Sequence, residues 1–355
     1  MDIFIILLFI LIFWRLKPVA LNSEYLGRDT TTAIKGIFAV FIIFNHSRQY
    51  LLPLPTDGYA VNLGLIGGVI YNAALDFLGQ LIVVMFFVYS GYGIMEAFKR
   101  KRGDYLNGFL RKRVIKTLVH FDIAVLLFII LAFILGHEYS LYDYMFCLTG
   151  WSAVGNSNWF IFDIIILYLL SYLGLAITIY KGFSEKTFLW IISIASLCFS
   201  FFMFIAKSGQ SWWYDTILAF PLGVLWSIYH TEFEARLKDD RKYFIALCLL
   251  IIAFVMFYWT GRYYKAFFSL IASPLFGLLV ILLTMKIRVG NPVLHWLGVN
   301  AFAIYMLQRL PMIVTTEYGL NEVPLVFMII VIPSTLLIAW LFTTLTGKID
   351  SRLFS

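Results

Sequence analysis

The chain has 355 residues, of which 62% are hydrophobic and only 13% charged, about half the charged fraction of an ordinary soluble protein. Phenylalanine alone fills 35 positions. No soluble core could bury that much apolar surface and leave so few charges outside, so the composition excludes a soluble domain and points to an all-α, polytopic transmembrane helix bundle. The net charge of +7 follows from Lys and Arg kept in cytoplasmic loops and is no sign of nucleic acid.

Residues 3–14 (IFIILLFILIFW) come first. They are as apolar as a signal segment, but no basic region precedes them and no small-residue cleavage site follows. Twelve apolar residues are short for a full crossing, so residues 1–27 are read as a retained extra helix and its connection. Ten longer apolar stretches follow, at 32–52, 77–98, 118–136, 158–180, 188–206, 212–230, 242–260, 265–285, 293–316 and 324–346. Each approaches the ~20 residues that cross a membrane as a helix, and none alternates like a barrel strand. Residues 28–347 then form one membrane domain of ten core helices, with 348–355 as a short cytoplasmic tail.

Loop charge sets an orientation. With residues 15–35 inside and every stretch crossing, 22 of the 27 Lys and Arg fall on inside connections, leaving only Arg48, Lys207, Arg262, Lys265 and Arg309 outside. That asymmetry is what the positive-inside rule demands. Two outer connections stand out. Residues 53–75 are rich in Gly, Leu and Asn and contain Pro53 and Pro55; residues 137–157 carry Tyr139, Tyr142, Tyr144, Trp151 and Asn156. Such aromatics read first as anchors at the membrane edge, and second as surfaces on which sugar rings stack. Cys147, Cys198 and Cys248 are scattered, without metal-ligand spacing or a disulfide framework, and read as packing residues.

Several polar residues interrupt this apolar pattern. Lys35 and His46 are eleven positions apart in IKGIFAVFIIFNH, about three helical turns, which puts them on one stripe roughly 16 Å apart. Ionisable groups are costly at membrane depth and usually face a cavity or a partner. An imidazole there can serve as a general base; a structural histidine and a lysine anchor are the plainer alternative. In KRKRGDYLNGFLRKRVIK, residues 99–102 read as a positive loop, while Arg111, Arg113 and Lys116 lead into the next span. Arg113 and Lys116 share a helix face and suit the phosphates of a cytosolic nucleotide cofactor such as coenzyme A. Ser90-Gly91 in FFVYSGYGI would let a helix or ligand approach closely. Trp159 opens a span that also holds Asp163, an intramembrane acid with either a functional or a structural role. Asn300, Tyr305 and Gln308 in WLGVNAFAIYMLQ read as helix-to-helix hydrogen bonding. No nucleotide-binding loop, metal cluster or serine-nucleophile motif is present in the sequence.

Taken together and in this order, these segments resemble the acyltransferase-3 family of membrane acyltransferases, from about residue 28 to 346. Lys35 and His46 match its basic residue, ten positions and histidine. FFVYSGYGI resembles its Ser-Gly segment, FLRKRVIK its arginine motif, and NWFI and FAIYMLQ its later signatures. The resemblance implies transfer of an acyl group, most often acetyl, from cytosolic acyl-CoA to a hydroxyl of a cell-surface or lipid-linked glycan, in the cell membrane of a bacterium. His46 would be catalytic with Lys35 in support; Arg111, Arg113 and Lys116 would hold the cofactor; Ser90, Trp159 and Asp163 would line the pocket. Two departures from the pattern stand out: Lys116 stands where arginine is common, and Asn300 and Gln308 stand where Ser and His are frequent, so no catalytic role is carried onto the latter pair. The chain leaves no room for the hydrolase-like domain some members add, so the bundle would have to complete the transfer. A transporter or lipid-linked-glycan flippase is the competing reading, but it calls for discontinuous helices matched in two repeated halves, and no such pairing is visible. A non-catalytic membrane scaffold is a third.

Overall fold

The computed structural model describes residues 1–51, 68–264 and 267–354. Its architecture is the expected all-α polytopic bundle; the strand content among the described residues is one two-residue antiparallel pair, Lys17–Pro18 against Ile287–Arg288. The short first helix α1 (Asp2–Phe13) spans about 18 Å at 1.5 Å per residue, well below the hydrocarbon thickness. It packs on the neighbouring helices and is pinned at both ends. Asp2 Oδ1 accepts from the Tyr71 backbone N–H at 2.8 Å, and Asn291 Nδ2 donates to the Leu11 carbonyl at 2.8 Å.

The remaining helices are α2 (Arg28–Tyr50), α3 (Val69–Leu78), α4 (Val84–Lys101), α5 (Lys116–Leu135), α6 (Leu141–Phe146), α7 (Trp159–Tyr180), α8 (Glu185–Ala206), α9 (Ala219–Leu237), α10 (Asp240–Tyr264), α11 (Phe267–Lys286), α12 (Pro292–Val299), α13 (Ala301–Leu307), α14 (Arg309–Glu317) and α15 (Pro324–Leu353). All ten expected stretches contain helix. By length and apolarity, however, seven helices among the described residues can cross a membrane, or eight if the bent pair α12 with α13–α14 is one span. α2 and α9 are outside that set because they carry charge: Arg28, Asp29, Lys35 and Arg48 on one, Glu232, Glu234 and Arg236 on the other. Both are interior helices along part of their length, and most of these charges sit exposed toward their ends, Arg28 and Asp29 on α2 and Glu232 and Arg236 on α9. α10 is the opposite case, with Leu249, Ile252 and Met256 all more than half exposed, as a lipid-facing wall requires.

Two boundaries differ from the sequence reading. The stretch expected to begin at residue 77 begins at Val69, because Asn72 and Asp76 interrupt the apolar run although Tyr71 and Leu75 face the core. Tyr71 donates its hydroxyl to the Phe44 carbonyl at 2.6 Å, and Asp76 pairs with Arg48. Most of the expected 53–75 connection, with Pro53 and Pro55, lies outside the described residues. In the 137–157 connection α6 is capped by Ser140, whose Oγ accepts from the Asp143 N–H. Of the cysteines, Cys147 is buried, but Cys198 and Cys248 are exposed on their helices; apolar neighbours in sequence do not separate core-facing from lipid-facing positions.

α2 meets α12 backbone to backbone. A Cβ added to Gly36 would run into the Leu294 carbonyl oxygen, and one added to Gly298 into the Thr32 carbonyl oxygen. α4 and α9 meet the same way through Gly91 and Gly223, against the carbonyls of Phe220 and Val88. Gly91 is therefore a helix-packing residue, as small residues at membrane helix interfaces usually are. Because α2 carries both Lys35 and His46, its seat on α12 fixes their positions. Gly298→Ala is expected to destabilise the bundle by about 3 kcal/mol, the upper range for overpacking, since the obstacle is rigid backbone. Thermal unfolding of the detergent-solubilised variant checks this; an unchanged midpoint would refute the close-contact account.

Candidate functional site

Two cavities enter the bundle from opposite ends. The first, of about 740 Å³, has Lys35, Arg100, Lys101, Lys112, Arg113 and Lys116 in its wall, against one carboxylate among the described residues, Asp104. Several elements supply these cations. The segment Leu110–Ile115 is a π-helix leading into α5, a rare form that recurs at functional sites. Its wider turn changes which side chains face inward: Lys112, Arg113 and Lys116 line the cavity, whereas Arg111 donates to the Leu353 carbonyl at the end of α15. The Arg113 guanidinium lies 5.9 Å from the Tyr168 ring centre. Lys116 Nζ is 2.7 Å from Asp350 Oδ2, and His120 Nε2 is 2.9 Å from Asp350 Oδ1. Lys35 has neither an ion pair nor a hydrogen bond among the described residues, so its charge is available to an anion in the cavity. Ser90 is in the same wall, accepting from Tyr168 Oη at 3.4 Å.

The bend between α12 and α13, 58° at Asn300, shapes one side of this cavity. Asn300 Nδ2 donates back to the Trp296 carbonyl at 2.9 Å, and such side-chain competition for backbone groups interrupts a helix. Gly298, Val299, Ala301 and Phe302, around the break, form part of the wall. Asn300 thus bonds within its own segment instead of crossing to another helix.

The second cavity, of about 650 Å³, is lined by His46, Trp151, Trp159, Trp212, Trp213, Tyr305 and a series of amides and hydroxyls that includes Asn45, Gln49, Asn156 and Ser157. Its cations are Lys207 and Arg309. Lys207 Nζ donates to the Trp151 carbonyl at 2.9 Å and lies 3.8 Å and 4.6 Å from the ring centres of Trp151 and Trp213, a cation–π sandwich. Burial there holds the ammonium below the usual lysine range. Trp151 also donates its indole N–H to Tyr142 Oη at 2.7 Å, while Tyr142 itself is exposed. One aromatic connection therefore contributes both to the cavity and to the protein surface.

His46 is 8% exposed and Gln308 fully buried. Gln308 Nε2 lies 2.7 Å from His46 Nδ1, with Ser157 Oγ 3.4 Å from the same nitrogen. The amide can face His46 in two ways. With its nitrogen on Nδ1, the imidazole proton sits on Nε2, and Gln308 Oε1 is left buried without a partner. Turned over, Oε1 accepts from Nδ1–H and His46 Nε2 keeps the lone pair that a base requires, while the 3.3 Å bond that Gln308 Nε2 otherwise donates to the Tyr305 carbonyl is given up. Gln308 therefore governs the tautomer of His46.

Lys35 and His46 face different cavities. Between them lies an apolar constriction with a void of about 10 Å³, lined by Ile42, Val83, Phe86, Phe160, Ala301, Phe302 and Tyr305. Phe86, Phe160, Ala301 and Phe302 also border the basic cavity, and Ile42, Val83 and Tyr305 the aromatic one, so a thin layer of side chains separates the two. Asp163 lines neither cavity; it is fully buried, and neither carboxylate oxygen has a hydrogen-bond partner among the described residues. No cluster of His, Cys, Asp and Glu among the described residues could hold a metal ion.

Sequence reasoning assigned Gln308 to helix-to-helix hydrogen bonding without a partner; the partner is His46, 262 positions away. It missed the two cavity cations Lys207 and Arg309. The signal for the cations was available: both are among the five exceptions to the positive-inside distribution. Residues 32–344 match the family model described as an acyltransferase domain, that of acyltransferase-3. No curated protein and no solved structure matches the chain.

Proposed function

The chain belongs to the acyltransferase-3 family and is a multi-pass membrane acyltransferase; from that premise we propose that it moves an acyl group, acetyl in the first instance, from cytosolic acyl-CoA to a hydroxyl of an exported or cell-surface glycan. The observation that carries this reading is the pair of opposed cavities, one basic and one rich in indoles and amides, that nearly meet beside His46. Loop charge supports assigning the basic end to the cytoplasm of a bacterial cell, with the C-terminus on the same side. Acyl-CoA would then set its phosphates among Lys35, Lys112, Arg113 and Lys116 and extend its thioester arm toward the Phe86–Phe160–Phe302 layer. These rings have to part for the thioester to reach His46. The glycan would enter the opposite cavity and stack on its indoles.

In the transfer step His46 Nε2 takes the proton of the acceptor hydroxyl as its oxygen attacks the thioester carbonyl. The carbon–sulfur bond breaks, CoA leaves as a thiolate, and the imidazolium returns the proton to sulfur. This requires Nδ1–H to be donated to Gln308 Oε1, the second amide orientation. Tyr305, whose buried hydroxyl finds no acceptor among the described residues, is placed along the same cavity to donate to the developing oxyanion. Lys35, about three turns away, acts on the CoA end and not on His46.

Gln308→Ala is expected to lower kcat by about 10- to 100-fold, by analogy with the cost of removing the partner that orients a metal-bound histidine, with the KM for acyl-CoA unmoved. Steady-state kinetics of the purified variant decide this; a raised KM with normal kcat would mean that Gln308 shapes binding and not the base. Thioester consumption dependent on added glycan fragments separates this reading from the flippase reading, which predicts none.

A further inference from the structure

The aromatic cavity carries positive charge without a carboxylate on its wall. Among its described lining residues Lys207 and Arg309 are the charged ones besides the titratable His46, and neither Lys207 nor Arg309 forms an ion pair among the described residues. Each is held in place by an uncharged group. Lys207 is clamped by the Trp151 carbonyl and two indole faces. Arg309 donates from Nη2 to Gln49 Oε1 at 2.7 Å, and its Nε is buried with no hydrogen-bond partner. Carboxylates near the wall sit behind it: Asp143 accepts from Ser152, Asp215 accepts from Gln80 at 2.5 Å, and Asp163 is buried near Tyr305. A guanidinium fixed in orientation, with a buried donor unused, is expensive unless an anion completes it. That anion cannot be the CoA phosphates if they occupy the basic cavity, beyond the apolar constriction.

Resting on the acyl-transfer reading above, we propose that the acceptor is an anionic glycan whose carboxylate or phosphate oxyanion pairs with Arg309 and Lys207 while its sugar rings stack on the cavity indoles. Arg309 follows Gln308 directly in the chain, and Gln308 contacts His46, so the charge contact also sets the register of the acceptor relative to the base. An uncharged glycan would leave both cations desolvated and unpaired, which is how a charged site rejects a neutral analogue.

The test uses the full chain in phosphatidylcholine nanodiscs and pairs of oligosaccharides that differ only in charge: a uronate against its carboxyl-reduced form, and a sugar phosphate against the dephosphorylated sugar. Four of the chain's tryptophans line the cavity, so fluorescence reports binding without any chemistry. At least one charged member is expected to bind about tenfold or more tightly than its neutral partner, a common margin for a charge-assisted contact. Arg309→Gln is expected to reduce that ratio to near one, and Arg309→Lys to retain part of it; Lys207→Gln gives a second readout if an Arg309 variant fails to fold. Equal binding of both members, or binding of neither, overturns the proposal. So does loss of the preference when phosphatidylglycerol is added to the nanodiscs, because the oxyanion would then belong to a lipid headgroup. Acyl transfer is scored separately. A charge preference without transfer leaves the anion site standing and sinks the catalytic reading; transfer with no preference does the reverse.

Discussion

Replacing His46 with alanine is expected to lower acyl transfer by about a thousandfold, within the span assigned to a positioned general base. The ring is buried at the inner end of the aromatic cavity, held by Gln308 and Ser157, and it is the titratable histidine among that cavity's lining residues. Two nearby groups are poorly placed to substitute for it: Tyr305 is a donor by disposition, and Asp163 is sealed away from both cavities. The acyl-CoA-dependent thermal shift should persist in the variant, because the basic cavity lies across the constriction. Transfer at the normal rate by purified His46→Ala would end the mechanism.

The second large effect is expected at Arg113. Arg113→Ala should raise the KM for acyl-CoA by about 100-fold, the order of cost when one partner of a close charge pair is lost, with a much smaller change in kcat. Arg113 outranks its neighbours for structural reasons. Arg111 is engaged by the Leu353 carbonyl and Lys116 by Asp350, whereas Arg113 lies at the cavity wall among the hydroxyls of Tyr105 and Tyr168, without a carboxylate partner among the described residues, and can offer a planar fork to a phosphate. Titration of the variants with acyl-CoA orders them: Arg113→Ala weaker than Arg111→Ala. The reverse order would show that the end of α15 moves aside and that Arg111 is the phosphate ligand.

Much of the bundle was legible in the chain. Ten apolar stretches all proved to contain helix. The boundaries and the count of crossings were less legible, because hydropathy measures affinity for lipid and some helices never face it. α2 and α9 bury apolar stretches but carry exposed charges toward their ends, and α3 hid behind Asn72 and Asp76. Lys35 and His46 were visible as costly residues at a helical spacing, but their assignment to separate cavities was not. Spacing along one helix gives a distance and a face; it does not tell which other helices close off the space between.

Composition, hydrophobic run length and loop charge determined that this protein is a polytopic helical membrane protein with a basic end, because these follow from transfer energies that each residue carries wherever it sits. The tertiary structure alone decided that Gln308 holds His46, that Arg111 turns away from the cavity while Arg113 faces it, and that phenylalanines close the passage. Each of these depends on contacts between segments far apart in sequence, through a π turn, a bend at Asn300 and glycine-to-carbonyl seats. Such contacts are set by the meeting of surfaces, which no local pattern encodes.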